Sequence, residues 1–154
     1  MIRKAYEKDI SRILDLLKQV NKVHYDGRPD LFKLDTKYTH HDLIELLNDE
    51  SKPIFVITDE SDLVNGYCFC QSIEIKNNQL MQDIKTLYID DLCVDENKRG
   101  CHLGSQLYEY VKSYAKNNNY YNLTLNVWEL NEPAMKFYQK MGLIPQKTTM
   151  ETIL

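Results

Sequence analysis

The chain contains few glycines and prolines, five and four respectively among its 154 residues. With 43% hydrophobic and 27% charged residues, this composition is typical of a soluble globular protein and does not indicate disorder. No apolar run approaches the length of a membrane span, and the amino-terminal residues MIRKAYEKD lack the apolar core of a signal peptide. We therefore expect a cytoplasmic protein that does not bind membranes.

The paired CxxC spacing of a zinc site is also missing. The cysteines are Cys68, Cys70, Cys93 and Cys101. We expect them to be buried free thiols, and we expect no metal ion. The formal net charge of −4 argues against nucleic-acid binding, which needs many lysines and arginines to neutralise phosphates. An amine-bearing, cationic substrate suits this charge better.

The length of 154 residues predicts a single domain spanning residues 1–154, large enough to bury most of its apolar surface without covalent crosslinks. A short strand at residues 2–5 precedes an amphipathic helix that starts near Glu7 and Asp9. Residues 23–38 then lose the helical period and are predicted to be a loop or a broken helix. This loop either lines a substrate entrance or is simply solvated.

The candidate substrate-binding residues of that loop are His24, Tyr25 and Arg28. A second helix is predicted over residues 39–48, with Thr39 as its N-cap. Runs of β-branched and aromatic residues predict strands at residues 53–58, 64–75, 85–94 and 121–127. Short polar turns favour antiparallel pairing, whereas the helix after Gly104 carries the chain across to a new strand, so the sheet should be mixed. The tail, residues 143–154, is predicted to form a final strand pair or one bent strand.

The central stretch, residues 87–107, is predicted to be a strand, a charged turn and a helix. The turn carries Arg99, Gly100 and Gly104. Glycines at a helix start let the backbone approach a ligand, while unpaired N–H groups and the helix dipole face an anion. Neither the Walker pattern nor the glycine triplet of a dinucleotide-binding fold is present. We predict a phosphate site of a third kind, although many such turns bind nothing.

Three segments, in this order, resemble the GNAT family of N-acetyltransferases, which transfer an acetyl group from acetyl-CoA to an amine. The segments are IRKAYEKDISRILDLL, LCVDENKRGCHLGSQL and LNVWELNEPAMKFYQKMGL. The resemblance implies an α/β (α+β) fold with a mixed, mostly antiparallel sheet of about six to seven strands and helices on both faces. It also implies acetyl-CoA as co-substrate and an N-acetyltransferase that needs no metal.

The family pattern Arg/Gln-x-x-Gly-x-Gly/Ala matches residues 99–104, with His102 in place of the inner glycine. The resemblance implies that the cofactor is held by Leu92, Cys93, Val94, Arg99, Gly100, Cys101, His102, Leu103, Gly104, Ser105 and Asn131. The backbone of Leu92, Cys93 and Val94 would pair with the pantetheine arm, as it would with an added strand. Asn131 would also cap the helix that follows it.

A primary amine with a pKa of about 10.4 is mostly protonated near neutral pH, so a base must remove the proton before attack. Asp90 and Asp91 flank the position where GNAT enzymes often carry an acidic base. Side chains alternate along a strand, so only one of the two should face the cleft unless a bulge intervenes. We expect Asp90, because Asp91 would join Leu87 and Ile89 on the opposite face. Alternatively, both carboxylates only solvate the strand end or act through water.

Tyr138 matches the tyrosine that commonly acts as the general acid toward the departing thiolate in this family, although a purely packing role is also open. Cys93 has no histidine beside it in sequence, so we expect direct attack in a ternary complex and no acyl-enzyme. The alternatives are a non-catalytic acyl-CoA-binding module and a generic nucleotide-binding domain. The acceptor amine, in a small molecule, a polyamine, a peptide or a protein lysine, is left open. The resemblance also suggests a homodimer that pairs through its last strands.

Overall fold

The structure is a computed structural model that describes all 154 residues, and its sheet has five strands in the order β1-β2-β3-β4-β5. The strands are β1 (Ile2–Lys4), β2 (Ile54–Thr58), β3 (Val64–Ile75), β4 (Ile84–Val94) and β5 (Asn122–Leu125). The first four pair antiparallel in sequence order, and β5 runs parallel to β4. The predicted mixed, mostly antiparallel sheet is therefore confirmed.

Helices cover both faces of this sheet. They are α1 (Ile10–Gly27), α2 (His40–Leu47), α3 (Leu103–Asn117) and α4 (Glu132–Lys140). On one face, α1 and α2 bury Ile13, Leu17 and Leu43 against Tyr67 of β3. On the other face, α3 buries Leu107 and Val111 against Leu87 and Ile89 of β4. The two apolar stripes follow the helical period of the sequence, which is why both helices could be predicted. None of the helices combines the length and the apolar character needed to cross a membrane.

Three predictions about local structure are wrong. The sheet has five strands, fewer than expected, because residues 143–154 form no strand and their side chains are mostly exposed. Helix α1 continues to Gly27, so the loop begins later than residue 23. Cys101 is exposed, whereas the other three cysteines are buried free thiols as predicted. The cap of α2 is confirmed, since the Thr39 hydroxyl accepts a hydrogen bond from the Asp42 amide at 3.2 Å.

A bulge interrupts the pairing of β3 with β4. Phe69 lies opposite Asp91, but the next residue, Cys70, lies opposite Ile89, so Asp90 is an extra residue in β4. An extra residue reverses the alternation of side chains beyond it. The order in which the side chains of β4 alternate between the two faces of the sheet is therefore reversed at Asp90 and Asp91.

Strand β4 also loses its neighbour on the other side at the bulge. Its pairing with β5 ends at Ile89 and Leu125, and residues 90–94 have a partner only in β3. An unpaired strand edge presents free N–H and C=O groups to any extended ligand. The bulge and this open edge together place an accessible stretch of backbone at the centre of the sheet.

Candidate functional site

The turn after β4 is held in place from α1. Asp95 is buried, accepts a hydrogen bond from the Asn97 amide at 3.0 Å, and forms an ion pair with Arg12 of α1. These contacts stabilise a single 3-10 turn, Glu96–Lys98, at the end of the strand. The charged turn predicted from the sequence is therefore fixed relative to the sheet and leads directly into the start of α3.

The backbone between this turn and α3 leaves several amides free. Gly100 has φ of 81° and His102 has φ of 59°, so the chain passes twice through the left-handed region. The N–H groups of Gly100, Cys101 and His102 donate no hydrogen bond to the protein. The next three N–H groups belong to the first turn of α3, where helix geometry supplies no partner. The segment therefore has the free donors that an anion requires.

Gly104 brings the start of α3 close to both β4 and α4. A Cβ atom added there would lie 3.5 Å from Phe137 and 3.6 Å from the Cγ2 atom of Val94. These are ordinary contact distances, so the Cβ atom of an alanine fits here. This agrees with the Gly/Ala choice at this position of the pattern.

The two aspartates of β4 face the same side of the sheet, which corrects one prediction. Asp91 does not join Leu87 and Ile89, because the bulge turns it toward the α1 face, where the Tyr67 hydroxyl donates to Asp91 Oδ2 at 3.0 Å. Asp90 lies beside it and accepts from the Lys37 ammonium at 2.7 Å and from the Tyr38 hydroxyl at 2.9 Å. Strict alternation was the wrong premise for choosing between them.

The two carboxyl groups differ in their environment. Burial raises the pKa of Asp91 from 3.8 to about 6, and the opposing effects of the Lys37 charge and the Tyr67 hydrogen bond do not cancel it. Asp90, in contrast, is held by an ion pair with Lys37. A carboxyl group with a pKa near the operating pH, as Asp91 has, is well suited to accept a proton.

Tyr138 lies on α4, which begins at its N-cap Asn131, whose side chain accepts from the Ala134 amide at 3.3 Å. The Tyr138 side chain is half-buried. Burial is the largest cause that raises its pKa, followed by the neighbouring Cys68 and Asp91 side chains. The phenol therefore keeps its proton, and the charge of the half-buried Asp91 carboxyl group adds to this effect.

Cys93 contributes no reactive thiol to this region. Its side chain is buried toward α1, where the thiol contacts the Leu16 carbonyl oxygen at 3.8 Å. Burial raises its pKa to about 12, which keeps the thiol protonated and unreactive. Its backbone, however, lies in the open edge of β4 with Leu92 and Val94.

The residues predicted from the loop separate into two groups. His24 stacks on Phe32 with ring centroids 5.1 Å apart, and Phe32 meets the edge of Trp128 at 5.2 Å, so an aromatic wall forms. Burial lowers the pKa of His24, so its ring is more readily neutral. Arg28 instead forms ion pairs with Asp30 and with Glu151 of the carboxy-terminal tail. Tyr25 is half-buried in α1.

Several residues that contact the aspartates or extend the aromatic wall were missed from the sequence. They are Phe32, Lys37, Tyr38, Tyr67 and Trp128. The signal for three of them was the aromatic and charged composition of residues 23–38. Lys37 and Tyr38 contact Asp90, and Phe32 contacts Trp128, so their partners are too distant in sequence to be read from spacing. The Tyr88 hydroxyl oxygen accepts a hydrogen bond from the Asn126 side-chain amide at 3.2 Å.

Comparisons with known proteins agree with this arrangement. The Acetyltransferase (GNAT) family model matches residues 17–143. Glucosamine 6-phosphate N-acetyltransferase 1 of Dictyostelium discoideum is 28% identical over 109 residues, which are 69% of this chain and 68% of that protein. Peptidyl-lysine N-acetyltransferase YjaB of Escherichia coli is 28% identical over 117 residues, 76% of this chain and 66% of that protein. A crystal structure of a mutant BH1408 protein from Bacillus halodurans is 31% identical and covers 100% of this chain and 99% of that chain, with a TM-score of 0.96.

Proposed function

Because the chain belongs to the acetyltransferase (GNAT) family of acyltransferases, we propose that it transfers the acetyl group of acetyl-CoA to a primary amine by direct attack in a ternary complex. One observation carries this proposal: the edge of β4 is open at residues 90–94 and leads into a turn where the N–H groups of Gly100, Cys101 and His102 donate no hydrogen bond to the protein. We also propose that residues 1–154 form one N-acetyltransferase domain.

GNAT enzymes use acetyl-CoA, and the free backbone groups of this chain suit it. The diphosphate would accept hydrogen bonds from the amides of residues 99–105, next to the Arg99 guanidinium. The pantetheine arm would pair with the open backbone at residues 92–94, and Asn131 would contact it from α4. The bound thioester supplies the activated acetyl group, and the chain's own side chains handle the protons.

The position of His102 allows a direct test of this backbone site. His102→Gly should raise the free energy of unfolding by up to about 1 kcal/mol, because glycine avoids the cost of a left-handed backbone. It should change the dissociation constant of coenzyme A by less than about threefold, because the amide at this position remains. Chemical denaturation and titration calorimetry measure the two quantities. A loss of coenzyme A affinity of about tenfold or more would show that the imidazole itself contacts the phosphates.

Asp91 is the base in this proposal. Its carboxyl group, with a pKa of about 6, is mostly ionised at neutral pH and accepts a proton better than an ordinary aspartate does. The neutral amine then forms the C–N bond to the acetyl carbon, and the C–S bond breaks with its electron pair on sulfur. The nitrogen loses its second proton, and the thiol of coenzyme A carries one proton when it leaves. Asp90 assists by attracting the cationic form of the amine into the cleft.

Tyr138 acts on the departing sulfur. Complete proton transfer from a phenol with a raised pKa to a thiolate whose conjugate acid has a pKa of about 8.5 is uphill. The hydroxyl group therefore serves mainly as a hydrogen-bond donor that stabilises the charge developing on sulfur, and the proton follows as the thiol leaves. The inert thiol of Cys93 supports direct attack, because no acyl-enzyme nucleophile is activated nearby.

The acceptor is an amine carried by a small molecule, a peptide or a protein lysine. One relative is named for glucosamine 6-phosphate and the other for peptidyl-lysine. In this chain, we assign to the acceptor side the two carboxylates of β4 and the aromatic wall of His24, Phe32 and Trp128. Aromatic faces and carboxylates favour a cation. We assign Tyr25 and Arg28 to the outer part of the acceptor side, where Arg28 forms an ion pair with Glu151 of the carboxy-terminal tail.

The test is release of free coenzyme A thiol from acetyl-CoA in the presence of a panel of amines, namely amino sugars, polyamines, peptide amino termini and lysine peptides. We expect amine-dependent release with at least one class and an acetylated amine as product. Coenzyme A binding without turnover on any amine would instead identify a non-catalytic acyl-CoA-binding module. Stabilisation by ATP or NAD and none by coenzyme A would contradict the proposal altogether.

A further inference from the structure

One amine of the chain already lies in the acceptor side of the site. The Lys37 ammonium is 2.7 Å from Asp90 Oδ2, although the two residues are 53 positions apart in sequence. Its charge also acts on Asp91, His24 and Tyr88, so it lies among the groups that line the acceptor side. Among the ion pairs of the chain, no other lysine is joined to a carboxylate of β4.

The backbone around Lys37 is anchored on both sides. The Thr36 hydroxyl donates to the Tyr38 carbonyl at 3.1 Å, and Thr39 is the N-cap of α2. The Tyr38 hydroxyl donates to the same Asp90 oxygen that Lys37 contacts, and its ring lies 5.6 Å from the Lys37 nitrogen. These contacts hold the Lys37 amine at one defined position beside Asp90. Such positioning is what makes an intramolecular reaction faster than an intermolecular one.

We propose that the active site of the chain acetylates its own Lys37. The inference rests on the proposed function, because it requires the thioester to lie between the bulge and Tyr138. The side chain remains partly exposed, so the amine can leave its ion pair and turn toward the thioester.

The reaction at Lys37 balances without a further reactant. The ammonium gives one proton to Asp91, and the neutral amine forms a C–N bond to the acetyl carbon of acetyl-CoA. The C–S bond breaks with its electron pair on sulfur, and the nitrogen loses its second proton, so that the thiol of coenzyme A carries one proton. The products are Nε-acetyl-Lys37 and free coenzyme A. The acetylated side chain has no charge, and the ion pair with Asp90 is lost.

The experiment is incubation of the purified chain with acetyl-CoA and no added amine, followed by peptide mass spectrometry of every lysine. Lys33 is the internal reference, because it lies exposed in the same loop and forms no ion pair. We expect acetylation of Lys37 at least about tenfold faster than of Lys33, with a rate constant per chain that is independent of protein concentration. Tyr138→Phe should slow it, whereas Lys33→Arg should not.

Five results would overturn the inference. Equal acetylation of Lys37 and Lys33 would show ordinary chemical modification, as would a rate at Lys37 that Tyr138→Phe leaves unchanged. A rate that rises with protein concentration would show transfer between chains. The proposed function is judged separately by the amine panel with the Lys37→Arg variant, which keeps the positive charge. Turnover of an added amine with no modification of Lys37 rejects only the inference, whereas absence of coenzyme A binding rejects both.

Discussion

Replacement of Asp91 by asparagine should lower kcat by about 10²–10³-fold, because the amide cannot accept the proton of the acceptor amine. In the unchanged enzyme, kcat/KM should fall about tenfold per pH unit below pH 6, since protonation of a group with a pKa of about 6 removes the base. This acid limb should be missing from the pH profile of Asp91→Asn. Steady-state kinetics measure both effects over a range from about pH 5 to about pH 9, which includes the expected pKa.

The stability of the same variant separates a chemical effect from a structural one. The folded state raises the pKa of Asp91 above its ordinary 3.8, so ionisation destabilises the fold progressively as the pH rises from about 3.8 to about 6, and the full cost is present at pH 7. Asparagine avoids this cost and can still accept from Tyr67. We expect Asp91→Asn to be more stable at pH 7, by up to about 3 kcal/mol, while it loses activity.

Asp90→Asn is the matched control for this prediction, because it changes the same functional group one residue away on the same bulge. We expect a smaller loss of kcat and a larger change in KM, since Asp90 is assigned to attraction of the amine. A loss of kcat with Asp90→Asn that exceeds the loss with Asp91→Asn would reverse the assignment of the base.

Tyr138→Phe should lower kcat by about 10²-fold, because it removes the one hydrogen-bond donor assigned to the departing sulfur. The dissociation constant of coenzyme A should remain within about twofold, since no binding contact of the diphosphate is lost. Titration calorimetry and single-turnover kinetics with acetyl-CoA measure the two quantities.

The control for Tyr138→Phe is Tyr110→Phe, an exposed position on α3 that packs against Phe55 outside the site. This control should leave both quantities unchanged. If Tyr138→Phe behaves like Tyr110→Phe, the hydroxyl group has no role in the reaction, and Tyr138 only packs against its neighbours in α4.

The helices and most strands could be predicted because each is specified by local sequence. The local signals are the period of the apolar residues in α1 and α3, the cap residues Thr39 and Asn131, and the turn around Gly100. Each of these signals involves residues only a few positions apart in sequence. The number of strands was overestimated, because residues 143–154 contain several β-branched residues but find no partner in the sheet. Pairing is a property of two segments, and one segment alone does not reveal it.

The sequence identifies the candidate residues of the site and not their arrangement. The acidic pair, the tyrosine and the turn of residues 99–104 were chosen from residue types and the family pattern. The bulge at Asp90 could not be predicted, because alternation in β4 is compatible with either face and only the register with Phe69 and Cys70 decides it. Lys37 was missed for a similar reason, since its partner is distant in sequence.

The central claim is that the backbone amides of residues 99–105 bind the diphosphate of coenzyme A. Titration calorimetry of the purified chain with coenzyme A tests it most directly, with pantetheine, which lacks the diphosphate, as the matched ligand. We predict a saturable heat of association with one site per chain, and binding of pantetheine weaker by at least about a hundredfold, equivalent to nearly 3 kcal/mol. No heat with coenzyme A, or equal affinity for the two ligands, would contradict the account.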